Sequence, residues 1–363
     1  MKKLFISIMA AAALVSCSKA DIAYENPSEI SFAPFAKKTT KAAVVDTKYP
    51  KNLNMYVFAN AGTGTTISEY AEPYFKNALF KDIDENGIFA GYPAYYWPNV
   101  KSLIFSGVSA SGNVNGTGKF EYNTTDKEWQ ITLTGYEPGK GTSKAGDNDL
   151  MWFSPDKPYS KADVPGTGTT AALDNDIEVT MKHACAWITI KIKGDDITSG
   201  TSGTTPWKIN SLKLDKLATK GNAVLGSAAT WNTLTETEPT EGADYPAALT
   251  IHNNADGTNL TANYVDYTKK TVVSRTTFED FITIPQATRK LYITYSFVSQ
   301  EGATDDDDIV ITETKEISLA FNGDENWGAG VHYTYNITIG AKEILIEPSV
   351  ENWTTYENVD VTI

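Results

Sequence analysis

Cysteine and histidine are scarce in this chain, with two cysteines and three histidines among 363 residues. The two cysteines are Cys17 and Cys185. A lipid-bearing Cys17 leaves Cys185 alone, which excludes an internal disulfide and leaves stability to core burial. His183, His252 and His332 lie far apart, without the short ligand spacing of a structural zinc site. Positive charge is also in short supply: the net charge is −14. Such a chain repels phosphate, so nucleic acid is not an expected partner. No segment after the leader approaches the ~20 apolar residues of a spanning helix. Long helical periodicity, heptads and solenoid-period repeats are missing too.

What is present begins with "MKKLFISIMAAAALVSCSKAD". Lys2 and Lys3 precede an apolar run from Leu4 to Val15, the pattern of a secretory signal peptide. "LVSC" resembles a bacterial lipobox, in which the cysteine thiol at the first mature position takes the diacylglycerol. Residues 1–16 therefore read as a lipoprotein signal peptide and Cys17 as the lipidation site. Lipid there tethers the domain to a membrane leaflet while the fold stays in water. Loss of residues 1–16, whose only charges are Lys2 and Lys3, takes the net charge from −14 to −16. Residues 17–28 are polar and read as a tether.

From there Val, Ile, Tyr, Phe and Trp alternate with polar residues, and Gly, Thr, Asn and Asp fill the gaps, which favours an all-β chain. The length suggests two domains. "EISFAPF" predicts a short strand with Ile30 and Phe32 on one face, stopped by Pro34. The basic stretch "AKKTTKAA" follows, and then the strand "NLNMYVFAN". Between Ser154 and Asp176 the chain is rich in Pro, Gly, Thr and Asp, which marks a domain junction. The expected organisation is an N-terminal domain over residues 29–172 and a C-terminal domain over residues 173–363.

Candidate chemistry is sparse. His183 and Cys185 have the spacing of a nucleophile and its base on one strand face. A thiolate, however, needs partial exposure and a group that orients the base. Val179, Met181, His183, Cys185 and Trp187 alternate against Ile188, Ile190 and Ile192, which predicts one long strand with little solvent around its centre. That makes Cys185 a packed residue. "DIDENG", Asp82 to Gly87, matches the first half of a calcium loop, but Pro93 stands where the closing Glu belongs. Asp305 to Asp308 read as a solvated loop. The glycine-rich "GYEPGKGTSKAG" fails the phosphate-loop spacing. "YPAYYWP" offers aromatic faces for sugar stacking, with Trp97 as the residue to test, or else core packing. No catalytic residue, metal or cofactor is expected.

Several fragments in order resemble the fimbrillin family, the subunits of type V pili of Bacteroidales and their lipoprotein relatives. They are the lipobox at Cys17, "ISF" at Ile30–Phe32, "TTKA" at Thr39–Ala42, "YVFA" at Tyr56–Ala59 and "YYWP" at Tyr95–Pro98. "DLMWF" at Asp149–Phe153, "HACAWITIKI" at His183–Ile192 and "ITIPQ" at Ile282–Gln286 continue the order. "WGAGVHYTYNITI" at Trp327–Ile339 and "VENW" at Val350–Trp353 complete it. The resemblance implies two transthyretin-like β-sandwich domains in tandem. It implies passage through the periplasm to the outer membrane and display in a cell-surface fimbrium. It also implies neighbouring pilus subunits as partners, and a trypsin-like surface protease that removes the first strand. Here that strand carries Ile30 and Phe32, and processing falls after Lys37, Lys38 or Lys41. Relatives often carry Arg at that point, whereas this chain has none before Arg275. The departure leaves cleavage after Lys41, or retention of the strand in an anchor-type subunit. A strand from a neighbour refills the groove, and Val359, Val361 and Ile363 at period two form a candidate donor. A lipid-anchored surface protein that binds glycans or host proteins without polymerising is the alternative.

Overall fold

The computed structural model describes residues 29–36, 47–48, 54–83, 87–109, 118–137, 149–163, 176–195, 204–215, 217–236, 248–261, 263–267, 281–300, 309–320, 325–340 and 344–352. The first half contains β1 (Ser31–Ala36), β2 (Thr47–Lys48), β3 (Met55–Gly62), β4 (Glu72–Lys81) and β5 (Phe89–Gly91). It continues with β6 (Ser102–Ser109), β7 (Lys119–Asn123), β8 (Glu128–Tyr136), β9 (Met151–Phe153) and β10 (Ile177–His183). The second half opens with β11 (Ala186–Gly194), β12 (Thr204–Asp215), β13 (Ala218–Leu225), β14 (Ala229–Glu236) and β15 (Ala248–Thr261). Then come β16 (Val265–Asp266), β17 (Phe281–Thr283), β18 (Gln286–Ala287), β19 (Lys290–Gln300) and β20 (Ile309–Ser318). The last three are β21 (Asn326–Trp327), β22 (Val331–Ile339) and β23 (Ile344–Asn352). The all-β tandem sandwich expected from the sequence is the fold observed.

The main sheet of the first half runs β10-β9-β6-β3-β4-β5-β1-β2, and β10 pairs with β1 as well. The second pairing closes the sheet into a ring, with β1 between β5 and β10. Closure satisfies backbone groups that an open edge leaves bare. Inside the ring lie Ile30, Phe32, Val57, Phe80, Phe105 and Phe153. Outside it, Tyr56, Phe58 and Val108 pack against a second sheet. β3 and β6 are therefore buried on both faces, and their near-continuous apolar sequences suit that position.

That second sheet has the order β14-β13-β8-β7. β7 and β8 come from the first half, whereas the hairpin β13–β14 comes from beyond the long strand β12. Val224 and Leu225 pair with Thr132 and Ile131 of β8. The tip of the hairpin is clamped. Trp152 Nε1 donates to the Gly226 carbonyl at 2.9 Å, and Lys182 Nζ donates to the Ser227 carbonyl at 3.0 Å. The Ser227 N–H donates to Glu128 Oε2 at 2.9 Å. At Gly226 the Glu128 carboxylate lies close against the backbone: a Cβ there would stand 2.1 Å from Glu128 Oε1 and would push that side chain aside.

The remainder of the second half is a two-layer sandwich. One layer runs β16-β11-β22-β23, with β17 also on β11, and the other runs β15-β12-β19-β20. Ile188, Ile190 and Ile192 of β11 and Ile337 and Ile339 of β22 face Leu212, Leu214 and Ile293 across the core.

Two expectations change. Residues 178–193 do not form one strand: the ladder breaks at Ala184–Cys185, β10 stays in the ring and β11 begins the sandwich. Sheet membership therefore changes at 184–185, inside the stretch read as one strand. The physical reason is pairing: β10 runs parallel to β1 from Phe32↔Ile177 to Ala36↔Met181 and antiparallel to β9. Nor does Pro34 stop β1, which continues to Ala36. On its outer side β1 pairs with β5 at Ser31 and Phe32 and with β2 at Phe35 and Ala36. Ala33 and Pro34 lie in the gap between those two pairings. A residue without an N–H is best tolerated in such a gap.

Candidate functional site

The slot held by β1 combines strand pairing on both sides with a large buried surface. Ile30 and Phe32 are fully buried, and Pro34 is buried beside them. The Phe32 ring meets Phe80 edge-on at 5.1 Å and Phe105 edge-on at 5.2 Å, and it tilts against Phe153 at 5.9 Å. Edge-to-face pairs of this kind stabilise by about 0.5–1.5 kcal/mol beyond the area they bury. The Ile30 N–H donates to the Tyr95 carbonyl at 2.8 Å, and Glu29 bridges to Tyr96. β1 is thus held by ladders on both sides and by an aromatic cage beneath.

One polar contact marks the slot. The Ser31 hydroxyl donates to Asp176 Oδ1, at the entry to β10. The second carboxylate oxygen of Asp176, Oδ2, is buried and has no hydrogen-bond partner. Burial pushes the Asp176 carboxyl above its ordinary range, and the Ser31 hydroxyl offsets that only in part.

The region of His183 and Cys185 forms a second buried cluster, at the crossover from β10 to β11. His183 Nδ1 lies 2.5 Å from Asp149 Oδ2, and both side chains are buried. The crossover is pinned on every side. The Ala184 N–H donates to the Leu150 carbonyl at 2.7 Å, and Trp231 Nε1 donates to the Ala184 carbonyl at 2.8 Å. The Gly330 N–H donates to the Cys185 carbonyl at 2.8 Å. Cys185 is fully buried, and burial, with the Asp149 carboxylate nearby, pushes its thiol well above the usual range. A thiol held neutral and out of solvent is no nucleophile. The cluster is architectural.

A family model described as fimbrillin-like matches residues 40–353. The chain belongs to the fimbrillin-like family. A fimbrial protein from Bacteroides vulgatus ATCC 8482 superposes with a TM-score of 0.52 at 18% identity, over 90% of this chain and 99% of that one. A candidate cell adhesion protein from Bacteroides uniformis ATCC 8492 reaches 0.49 at 14% identity, over 90% and 98%. The first of these supports the fold. No curated protein matches the chain.

In this fimbrillin-like chain the matched span begins at residue 40, so β1 precedes it. Of the residues singled out from sequence, Ile30 and Phe32 fall together in the slot. Cys17, Lys37, Lys38, Lys41, Val359, Val361 and Ile363 lie outside the described residues. Trp97 takes the core-packing alternative: it is 6% exposed and packs edge-on against Phe105 at 5.8 Å, so it presents no face for a sugar. Tyr92 and Tyr96 are the exposed rings of that segment. Asp82, at the start of the "DIDENG" segment, accepts from the Gly87 N–H at 2.9 Å. Asp176 and Asp149 went unnoticed in the sequence, because each becomes a partner only when strands distant in the chain are brought together.

Proposed function

We propose that this fimbrillin-like chain is a structural and adhesive subunit of cell-surface fimbriae. In this reading it is exported as a lipoprotein through Cys17, reaches the outer membrane by way of the periplasm, and assembles by protease-triggered strand exchange. The observation that carries the reading is the position of β1. It closes the ring between β5 and β10, places Phe32 at the centre of an aromatic cage, and runs at Ala36 directly into the lysine-bearing stretch 37–41.

The physics of exchange follows. Cutting after Lys37, Lys38 or Lys41 severs β1 from the fold without touching the remaining strands. Departure of β1 leaves the β10 ladder bare from Ile177 to Met181 and exposes the rings of Phe80, Phe105 and Phe153. Any incoming strand with alternating apolar residues restores both the ladder and the burial, which is β-augmentation. Val359, Val361 and Ile363 of a neighbouring subunit have that alternation. The partners are further subunits, the outer membrane through lipid, and a trypsin-like surface protease. The role is one of assembly and adhesion, with no catalytic step.

N-terminal sequencing of the surface-exposed form tests this. A start after Lys37, Lys38 or Lys41, with Ala42 the first residue after the last of these, is the expected outcome. A start at Cys17 contradicts processing and makes the chain an anchor that keeps β1.

A further inference from the structure

The sandwich layer β15-β12-β19-β20 ends on β20, and among the described residues no strand pairs with the outer edge of β20. The residues from Val310 to Ser318 therefore offer an extended edge. Natural edges are usually short, bulged or guarded by charge, because a long regular one templates pairing with another chain. β20 also overhangs its core: only Ile317 is buried, while Ile309, Val310 and Ile311 are 50%, 56% and 38% exposed.

We infer that β20 is a self-association edge whose occupant is the β20 of a second copy, running antiparallel about a two-fold axis at Thr314. The sequence "IVITETKEIS" is complementary to its own reverse around that residue. Antiparallel pairing centred there places Glu313 opposite Lys315 twice and Ile311 opposite Ile317 twice. The exposed apolar end of each strand thus meets the core-facing end of the other. This is the isologous arrangement of a two-fold interface. A parallel alignment in register would put Glu313 on Glu313 and Lys315 on Lys315, which is unfavourable.

The charges are already set for the antiparallel form. Lys315 Nζ lies 3.0 Å from Glu313 Oε2 of the same strand, and the Tyr295 hydroxyl donates to that Glu313 oxygen at 3.0 Å. The neighbouring Glu316 is engaged by Lys290 Nζ at 2.5 Å. Pairing turns two separate Glu–Lys contacts into one alternating square of four charges. This edge is distinct from the β1 slot, and its use does not depend on strand exchange.

Cysteine cross-linking in the unprocessed full chain carrying Cys17→Ser tests the register, because Cys185 is buried and does not compete. Directly opposed residues of antiparallel strands have Cα atoms about 4.5–5.5 Å apart, within disulfide range. Thr314→Cys is expected to give a disulfide dimer under mild oxidation. Thr312→Cys is not, since its opposite number is Glu316 and its own copy lies about four residues, roughly 13 Å, along the strand. Sedimentation across a concentration series provides the second arm. Lys315→Glu is expected to weaken dimerisation roughly tenfold, and E313K/K315E to restore it, with unchanged unfolding midpoints. Equal cross-linking at both positions, cross-linking at neither, or a double variant that fails to restore the dimer would overturn the inference.

Discussion

Two buried residues decide how the chemistry of this chain is read. Cys185 sits where a nucleophile would be sought, beside His183, yet its thiol is sealed between the ring and the sandwich and its pKa is driven up by burial and by Asp149. Native protein is therefore expected to resist a thiol-directed reagent at neutral pH and to react stoichiometrically at this position once unfolded. Rapid labelling of folded protein at Cys185 would contradict the assignment. Asp176 makes the opposite kind of statement, because its raised pKa links folding to pH. An acid whose folded-state pKa lies above its unfolded value binds its proton more tightly in the fold. Its contribution is fully present below the ordinary carboxylate value, near 3.8, and is lost as pH rises through the raised one. Asp176→Asn keeps an oxygen to accept from Ser31 and removes the charge. The variant should therefore gain melting temperature over the parent as pH rises from about 4 to 7, with the two converging at the acid end. An offset in Tm that does not change with pH would refute the link.

Among the elements, β1 and the hairpin β13–β14 carry the architecture of the first half, and both do so by adding strands to sheets begun elsewhere. Phe32→Ala in β1 should cost about 3–5 kcal/mol and Leu225→Ala in β13 about 2–5 kcal/mol, read from denaturant unfolding of the unprocessed chain. The informative measurement for Leu225 is local. Amide exchange should quicken in β8, its ladder partner from the first half, as well as in β13. Protection of β8 left intact would show that the hairpin is an appendage. How far such elements could be read from sequence depends on the range of the interaction that defines them. Ile30 and Phe32, and the run Ile188, Ile190 and Ile192, alternate plainly, and their strands were legible. The break at Ala184–Cys185 was not, because apolar residues continue across it and only pairing with β9 and β1 on one side and β22 on the other divides them. The placement of β13–β14 against β8 was equally hidden, since Leu225 and Ile131 are joined by tertiary packing and by no local pattern. For Trp97 the sequence left sugar stacking and core packing both open, because an aromatic in a Pro-rich turn has the same local sequence whether it faces water or Phe105.

Among the described residues the two halves are bonded to one another at the crossover at Ala184–Cys185, along the β8–β13 ladder, by the hydrogen bond from Trp231 to the Ala184 carbonyl, and by the clamp of Trp152, Lys182 and Glu128 on the hairpin tip. The proposed strand exchange requires a frame that keeps its shape when one strand is taken out of the ring, and these ties are what would hold it. Membership of the fimbrillin-like family and the closed ring around Phe32 meet in that single idea. Its most direct test is limited trypsin digestion of the purified precursor, followed by electrophoresis in SDS without boiling. The account predicts a ladder of SDS-resistant oligomers whose subunits begin after Lys37, Lys38 or Lys41, and whose formation is lost when residues 353–363 are deleted. Chains trimmed at the same lysines that remain single, with no ladder at any concentration, would contradict it.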